Sequence, residues 1–274
     1  MSKSTGTDPR DLPGFIRPVQ LLGRATLGLL REVGAAAIFA GNIVASAFVP
    51  PLYLSQVLRQ IVRIGFYSLP VVGLAAVFIG AALALNIYTG GARFNAEQFV
   101  PNIVVLGITR ELGAVITGLM LAGRVSSGIS AEIGAMRVTE QLDALETLSV
   151  KPVQYLYVPR VLAAVICLPL LVIIADIIGV AGGWLVSVQS LGFDSQTYIR
   201  NTMDFLNTED VVVGLIKAAV FGAIIAIMGC YHGDRSKAGA TGVGRATTLS
   251  MVNAAVLVLA SNYILSTLFV RLGI

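Results

Sequence analysis

Charged side chains interrupt two otherwise apolar runs of this sequence. Residues 106–118 read LGITRELGAVITG, which places Arg110 beside Glu111, and Lys217 lies in the apolar run GLIKAAVFGAII. Arginine offers a planar fork of N–H donors and lysine a compact point charge, and both groups bind phosphate. Adjacent residues on a helix point about 100° apart, so we expect Arg110 and Glu111 to face different neighbours.

Two further polar residues, Asp176 and Asn262, lie in apolar runs of the same kind. If these runs cross a membrane as helices, a rise of about 1.5 Å per residue gives the depth of each group. Counted from the outer side, Arg110 and Glu111 lie roughly 15 Å deep, Asn262 and Asp176 roughly 12 Å, and Lys217 roughly 9 Å. The spacing therefore predicts a polar layer in the outer half of the membrane.

Three interpretations of this layer remain open. An isolated charge costs about 2.5–3.5 kcal/mol at the middle of a membrane helix, so each should face the bundle interior or a wet cavity. The layer could be structural, with Arg110 or Lys217 neutralised by Glu111 or Asp176. It could instead bind a lipid headgroup whose phosphate meets Arg110 and Lys217, or relay ions in a secondary transporter. We favour Glu111 as the residue that braces the bundle and Arg110 as the one nearer a headgroup.

The composition assigns the chain to the membrane class. Of its 274 residues, 56% are hydrophobic and 12% are charged, whereas soluble domains carry about 25% charged residues. The net charge of +4 includes no Lys/Arg run of the kind that binds nucleic acid. Cys167 and Cys230 form no CxxC pattern and His232 is the single histidine, which argues against a disulfide framework, a metal site or a catalytic triad.

Five apolar runs are long enough to cross a hydrocarbon core, which takes about 20 helical residues. They lie at about 64–88, 100–122, 155–188, 211–231 and 249–270. The preceding segment, 19–49, is only semi-apolar and carries three charges, which suits a helix lying in the interface. Its second half, 33–49, contains no charge, so a sixth membrane span remains an alternative. The polar residues 1–18 predict a disordered cytoplasmic tail.

The predicted fold is therefore an all-α membrane protein, with an N-terminal interfacial helix and five transmembrane helices in one domain, 19–274. Loop charges give its orientation. Lys and Arg concentrate in the N-terminal segment and in the loops at 123–154 and 232–247, whereas the loop at 189–210 is acidic. By the positive-inside rule the N-terminus is cytoplasmic, and an odd number of spans places the C-terminus on the periplasmic side.

A regular polar segment, 123–152, separates the second and third spans. Its apolar residues Ile129, Ile133 and Met136 recur at helical spacing. Such an amphipathic helix either packs on its own bundle or docks a cytoplasmic partner, and spacing alone does not separate the two. The chain has no GxxxxGK[ST] loop, so it lacks this phosphate cradle for ATP. We expect no cofactor in the chain and no enzymatic activity, with any ATP bound by another polypeptide.

The long segment from RELGAVITGLMLAGR to RVLAAVICLPLL resembles the signature region of the MlaE family of ABC-transporter permeases. The likeness continues through LIKAAVFG and GVGRATT and covers about residues 50–270. It implies a homodimeric permease in the bacterial inner membrane that moves phospholipids between the inner and outer membranes. The implied partners are a cytoplasmic ABC ATPase of the MlaF type, a periplasmic MCE-domain protein of the MlaD type and a small STAS-type protein of the MlaB type.

The resemblance also implies roles for particular residues. In that family the helix between spans two and three is the coupling helix, which fits a groove of the ATPase. The matching contacts here are Glu132, Met136, Arg137, Glu140 and Gln141. Polar residues matching Arg110, Glu111 and Lys217 lie near the lipid pocket, whereas Asn262 departs from the family pattern, in which we expect an aspartate.

Other functions remain open at this stage. An ion-coupled secondary transporter would act without an ATPase, although five spans do not divide into two equal repeats. A permease for another apolar lipid, sterol-like or hydrocarbon, and a purely structural membrane anchor are further alternatives.

Overall fold

Long helices make up almost all of the part of the chain that the computed structural model describes, residues 16–51, 53–94 and 96–273. Within these residues there are eleven α-helices and no β-strand. They are α1 (Ile16–Ala47), α2 (Leu54–Ile64), α3 (Leu69–Gly91), α4 (Val100–Gly107), α5 (Gly113–Leu121), α6 (Ser127–Val138), α7 (Gln141–Thr147), α8 (Val158–Ser190), α9 (Ser195–Phe205), α10 (Thr208–Asp234) and α11 (Ala240–Leu272).

Three π-helical segments join or extend these helices. Ile108–Leu112 connects α4 to α5, Ala122–Ser126 connects α5 to α6, and Val153–Tyr157 leads into α8. Short π-helical segments inside α-helices are uncommon and often mark functional positions. The first of them contains Arg110 and Glu111.

The five predicted spans are confirmed as long apolar helical stretches. They correspond to Leu54–Gly91, Glu97–Val138, Val153–Ser190, Thr208–Asp234 and Ala240–Leu272. Among the described residues one more stretch, Thr26–Ala47, is long and apolar enough to cross a membrane. The interfacial placement of the first helix therefore stays a prediction. Helix α1 begins at Ile16, three residues before the predicted start of the domain, and the rest of the predicted tail lies outside the described residues.

The segment between spans two and three is organised differently from the single amphipathic helix expected over 123–152. Helix α6 continues the second span without a break, because Ile129 and Ile133 extend the buried face of that span. The chain turns only at Glu140, whose φ of 58° is left-handed. The short helix α7 follows, with Leu142 buried and its polar residues exposed.

Helix α8 is the centre of the bundle, with α3 packed on it and α10 making a second large contact. The closest approach between α3 and α8 is at Gly80, where an added Cβ would lie 1.8 Å from the carbonyl oxygen of Gly179. Lipid supplies no hydrophobic force that drives helices together, so helices in a membrane associate through close packing. Glycine residues allow the close contact seen here. Helix α11 packs on α10 and α6 and completes the bundle.

Candidate functional site

Lys217 is the centre of a polar network inside the bundle. Its side chain is 0% exposed, on the face of α10 that meets the π-helical segment Ile108–Leu112 and α11. Its Nζ donates to Glu111 Oε1 at 2.6 Å, to Ser266 Oγ at 2.8 Å and to the Arg110 carbonyl at 3.1 Å. An ammonium has three donors, so every one is used. Such full pairing is what makes a buried charge tolerable.

Glu111 links this lysine to helix α11. Besides Lys217, the carboxylate accepts from Ser266 Oγ at 2.8 Å and from Asn262 Nδ2 at 3.1 Å. The Glu111 side chain remains 39% exposed, so one side of the carboxylate is open while Lys217 closes the other. The amide of Asn262 donates to Glu111, which an ionised aspartate at this position could not do. The network therefore holds α10, α11 and the second span together around one carboxylate.

Arg110 makes a second ion pair with helix α10. Its Nη1 lies 2.8 Å from Oδ1 of Asp210, a buried residue in the first turn of that helix. An acidic side chain is favoured there by the helix dipole. The Arg110 side chain is 29% exposed.

The expectation that Arg110 and Glu111 face different neighbours was wrong, because both contact α10. Their partners, Asp210 and Lys217, are seven residues or about two turns apart, and so lie on one face of that helix. Two long side chains extending from the π-helical segment reach both positions.

Asp176 does not join either pair, so of the two acidic residues left open as partners of Lys217, Glu111 and Asp176, Glu111 is the one that contacts it. It is buried on α8, and its Oδ1 has no hydrogen-bond partner among the described residues. This oxygen lies against Gly113, where an added Cβ would come within 1.8 Å of it. Asp176 thus faces the second span beside the network without contacting its charges.

Sequence reasoning missed two members of the site. Asp210 lies in the acidic segment that was predicted to be a loop, and only its spacing of seven residues before Lys217 indicated a shared helix face. Ser266 looked like an ordinary small residue of a span, although it follows Asn262 by four residues and so shares its face. No group of three His, Cys, Asp or Glu side chains suited to a metal is found in the part of the chain described above.

The predicted coupling residues divide into two groups. Glu132 lies at one end of the helical bundle and points between its helices. Its Oε2 is 2.6 Å from Arg63 Nη1 and 3.1 Å from Arg160 Nη2. Arg137 Nη1 lies 3.1 Å from Asp143 Oδ1, and its Nε donates to the Asp234 carbonyl at 3.2 Å. These two residues therefore hold helices α2, α6, α8 and α10 together.

The other predicted coupling residues are more accessible. Glu140 and Gln141 are exposed at the turn into α7, and Met136 is partly buried against the core. The turn thus presents an acidic and an amide side chain beside a partly covered apolar one.

Comparison with known proteins agrees with this architecture. The family model described as "Permease MlaE" matches residues 57–268. A probable ABC transporter permease protein of Rickettsia bellii is 52% identical over 250 residues, which cover 91% of this chain and 96% of that protein.

More distant relatives carry more specific names. The intermembrane phospholipid transport system permease protein MlaE of Haemophilus influenzae is 32% identical over 93% of this chain and 98% of its own length. The chloroplastic protein TRIGALACTOSYLDIACYLGLYCEROL 1 of Arabidopsis thaliana is 33% identical over 85% of this chain and 66% of its own length. The family model spans most of the helical bundle, and the chain belongs to the MlaE family of ABC-transporter permeases.

Proposed function

We propose that the chain is the permease subunit of an ATP-driven transporter that moves phospholipids between the inner and outer membranes of a Gram-negative-type envelope. The observation that carries the proposal is the pair of anchored charges at one level of the bundle. Arg110 and Glu111 are partly exposed, and each is held from behind by a buried partner, Asp210 or Lys217. The phospholipid name of the Haemophilus relative supports the substrate class.

The two exposed charges have different roles in this proposal. The guanidinium of Arg110 binds the lipid phosphate, for which its planar donor fork is suited. On binding, part of its contact with Asp210 is replaced by contact with the phosphate. Glu111 keeps its three donors and braces α10 and α11 around the site. The exposed apolar side chains of Leu74, Phe78 and Leu85 on α3 provide a surface for acyl chains.

The partners follow from the family and from the faces that the bundle leaves open. On α11, Ala254 and Val258 are buried, whereas Val256, Tyr263 and Ile264 are exposed along the same helix. In the proposed homodimer, the exposed face of α11 contacts the second copy of the chain. ATP is bound by a separate ABC ATPase of the MlaF type, and an MCE-domain protein of the MlaD type receives or supplies lipid on the periplasmic side. A STAS-type protein of the MlaB type completes the complex.

The proposed location is the bacterial inner membrane, with the N-terminus cytoplasmic and the C-terminus periplasmic. Loop charge supports this orientation. It requires α1 to lie in the interface, so that five spans cross the membrane.

Lipid extraction from the purified complex, followed by mass spectrometry, tests the substrate and the role of Arg110. We expect phospholipid to co-purify with the wild-type protein and its amount to fall in Arg110→Met, which keeps an apolar stem but loses the donor fork. Arg110→Lys should recover only part of the lipid. Sterol-like lipid or hydrocarbon in place of phospholipid would contradict the proposed substrate, and equal phospholipid in all three proteins would contradict the role of Arg110.

The turn at Glu140 is the proposed contact with the ATPase. We expect Glu140→Arg to weaken ATPase binding about tenfold, equivalent to about 1.4 kcal/mol, while thermal stability changes little because Glu140 is exposed. Arg137→Glu should lower both ATPase binding and thermal stability, since it also breaks the contacts with Asp143 and Asp234. The measurement is co-purification of the ATPase beside thermal unfolding. Wild-type ATPase binding in Glu140→Arg would contradict both the coupling role and the cytoplasmic placement of α7.

A further inference from the structure

An apolar groove opens between helices α8 and α9, apart from the Glu111–Lys217 network. Its volume is about 460 Å³, within the range of pockets that bind small ligands. Ile177, Ala181 and Met203 form its exposed mouth, and Asp176 and Tyr198 are buried in its lining. In a membrane-spanning bundle, an open apolar groove of this kind faces lipid chains directly.

Asp176 makes this groove more than an irregularity of the surface. The residue is 7% exposed, and in the described part of the chain its carboxyl group makes no hydrogen bond. Oδ1 is enclosed against Gly113, so Oδ2 is the oxygen that a ligand in the groove can reach. The hydroxyls of Thr109 and Thr202 also line the groove, but they are satisfied by carbonyl oxygens of their own helices at 2.8 and 2.9 Å. A buried polar group without a partner destabilises the protein, because it has lost its hydrogen bonds to water and gained none. A ligand that supplies the missing partner would recover that energy.

The chemistry of the missing partner follows from the surroundings of Asp176. A neutral carboxylic acid is far cheaper to bury without a counter-ion than a carboxylate, and its O–H is a donor. The ligand group should therefore be an oxygen acceptor carried by an otherwise apolar molecule. An ester oxygen of a glycerolipid meets this requirement.

The length of the groove fits one acyl chain. Along α8 its lining extends from Ile173 to Trp184, which is roughly 16 Å at 1.5 Å per residue. This is about half of the roughly 30 Å hydrocarbon core, the depth that the chains of one leaflet occupy. Thr109 and Val211 in the lining are chain neighbours of Arg110 and Asp210, so the groove lies directly beside that ion pair.

We propose that this groove is a second lipid site, in which one acyl chain of a membrane phospholipid lies along α8 and an ester oxygen accepts a hydrogen bond from Asp176. Lipid binding to this groove needs no ATP and can be measured without transport. A failure of this proposal is therefore distinguishable from a failure of the proposed transport function.

Trp184, the single tryptophan of the chain, lines the groove and reports on its occupant. We would titrate the full-length chain in detergent micelles with phosphatidylcholine brominated on its acyl chains and measure quenching of tryptophan fluorescence. The expected result is saturable quenching. Ala181→Phe, which fills the mouth, should weaken binding at least fivefold, whereas the matched control Ala37→Phe, at an exposed position of α1, should leave it unchanged.

Substitution of Asp176 tests the hydrogen bond itself. Asp176→Leu should weaken lipid binding five- to tenfold, whereas Asp176→Asn, which keeps an N–H donor, should stay within twofold of the wild type. Quenching that does not saturate, or that is equal in the wild type, Ala181→Phe and Asp176→Leu, would show only non-specific contact with lipid and overturn the proposal.

A photocrosslinking experiment tests the same groove without a substitution at Asp176. Met203→benzoylphenylalanine at the exposed mouth of the groove would be irradiated in whole cells, in the assembled complex, and the adduct identified by mass spectrometry. A phospholipid adduct supports the proposal. An adduct with a polypeptide would assign the groove to a partner subunit and overturn it.

Discussion

Replacing Glu111 by methionine is expected to destabilise the protein by about 3–5 kcal/mol, the usual cost of leaving a buried charge unpaired. In Glu111→Met the ammonium of Lys217 stays fully buried, with only the Ser266 hydroxyl and the Arg110 carbonyl as acceptors. The Lys217→Met variant should lose less, about 1–3 kcal/mol. Its remaining carboxylate is partly exposed and keeps its donors Ser266 and Asn262.

The double variant Glu111→Met/Lys217→Met separates charge pairing from packing. Because it removes both charges, it should recover most of the stability that Glu111→Met loses. Thermal unfolding of the four purified proteins in one detergent gives the double-mutant cycle. Equal losses in the two single variants, or a double variant as unstable as Glu111→Met, would contradict the asymmetric burial of this pair.

Gly80→Ala is expected to separate helices α3 and α8, at a cost of about 3 kcal/mol. The added Cβ would lie 1.8 Å from the carbonyl oxygen of Gly179, and that backbone atom cannot rotate away. The measurement is the thermal midpoint of the purified protein together with its yield from the membrane.

The matched control is Gly90→Ala in the same helix, where an added Cβ meets nothing within 4 Å. Alanine there should be neutral or stabilise the helix by up to about 1 kcal/mol. A Gly80→Ala protein as stable as Gly90→Ala would show that α3 and α8 are not packed as closely as described.

The spans and the central ion pair were predictable for a physical reason. Hydrocarbon demands about 20 apolar helical residues per crossing, so composition fixes the spans. A charge at membrane depth must find a partner, so Lys217 required an acidic neighbour, and Glu111 and Asp176 were the alternatives before any fold was known. The structure confirms that Glu111, Lys217 and Asn262 meet.

The partners of Arg110 and Asp176 depend on contacts that spacing does not encode. Asp210 belongs to the first turn of α10 and not to a loop, because the helix begins at Thr208. Asp176, the alternative acidic partner, instead packs its oxygen against Gly113. The continuity of α6 with the second span follows from the burial of Ile129 and Ile133, whose spacing fitted a separate amphipathic helix equally well.

The central claim is that the ion pair of Arg110 and Asp210 lies on the path of a transported phospholipid. Its most direct test is ATP-dependent transfer of labelled phospholipid by the complex reconstituted in vesicles, comparing the wild type with the Arg110→Met/Asp210→Asn variant, which removes both charges of this pair. We predict that the double variant is folded and binds its ATPase but transfers lipid at least tenfold more slowly. Wild-type transfer by this variant would show that Arg110 and Asp210 only hold the bundle together and would contradict the account.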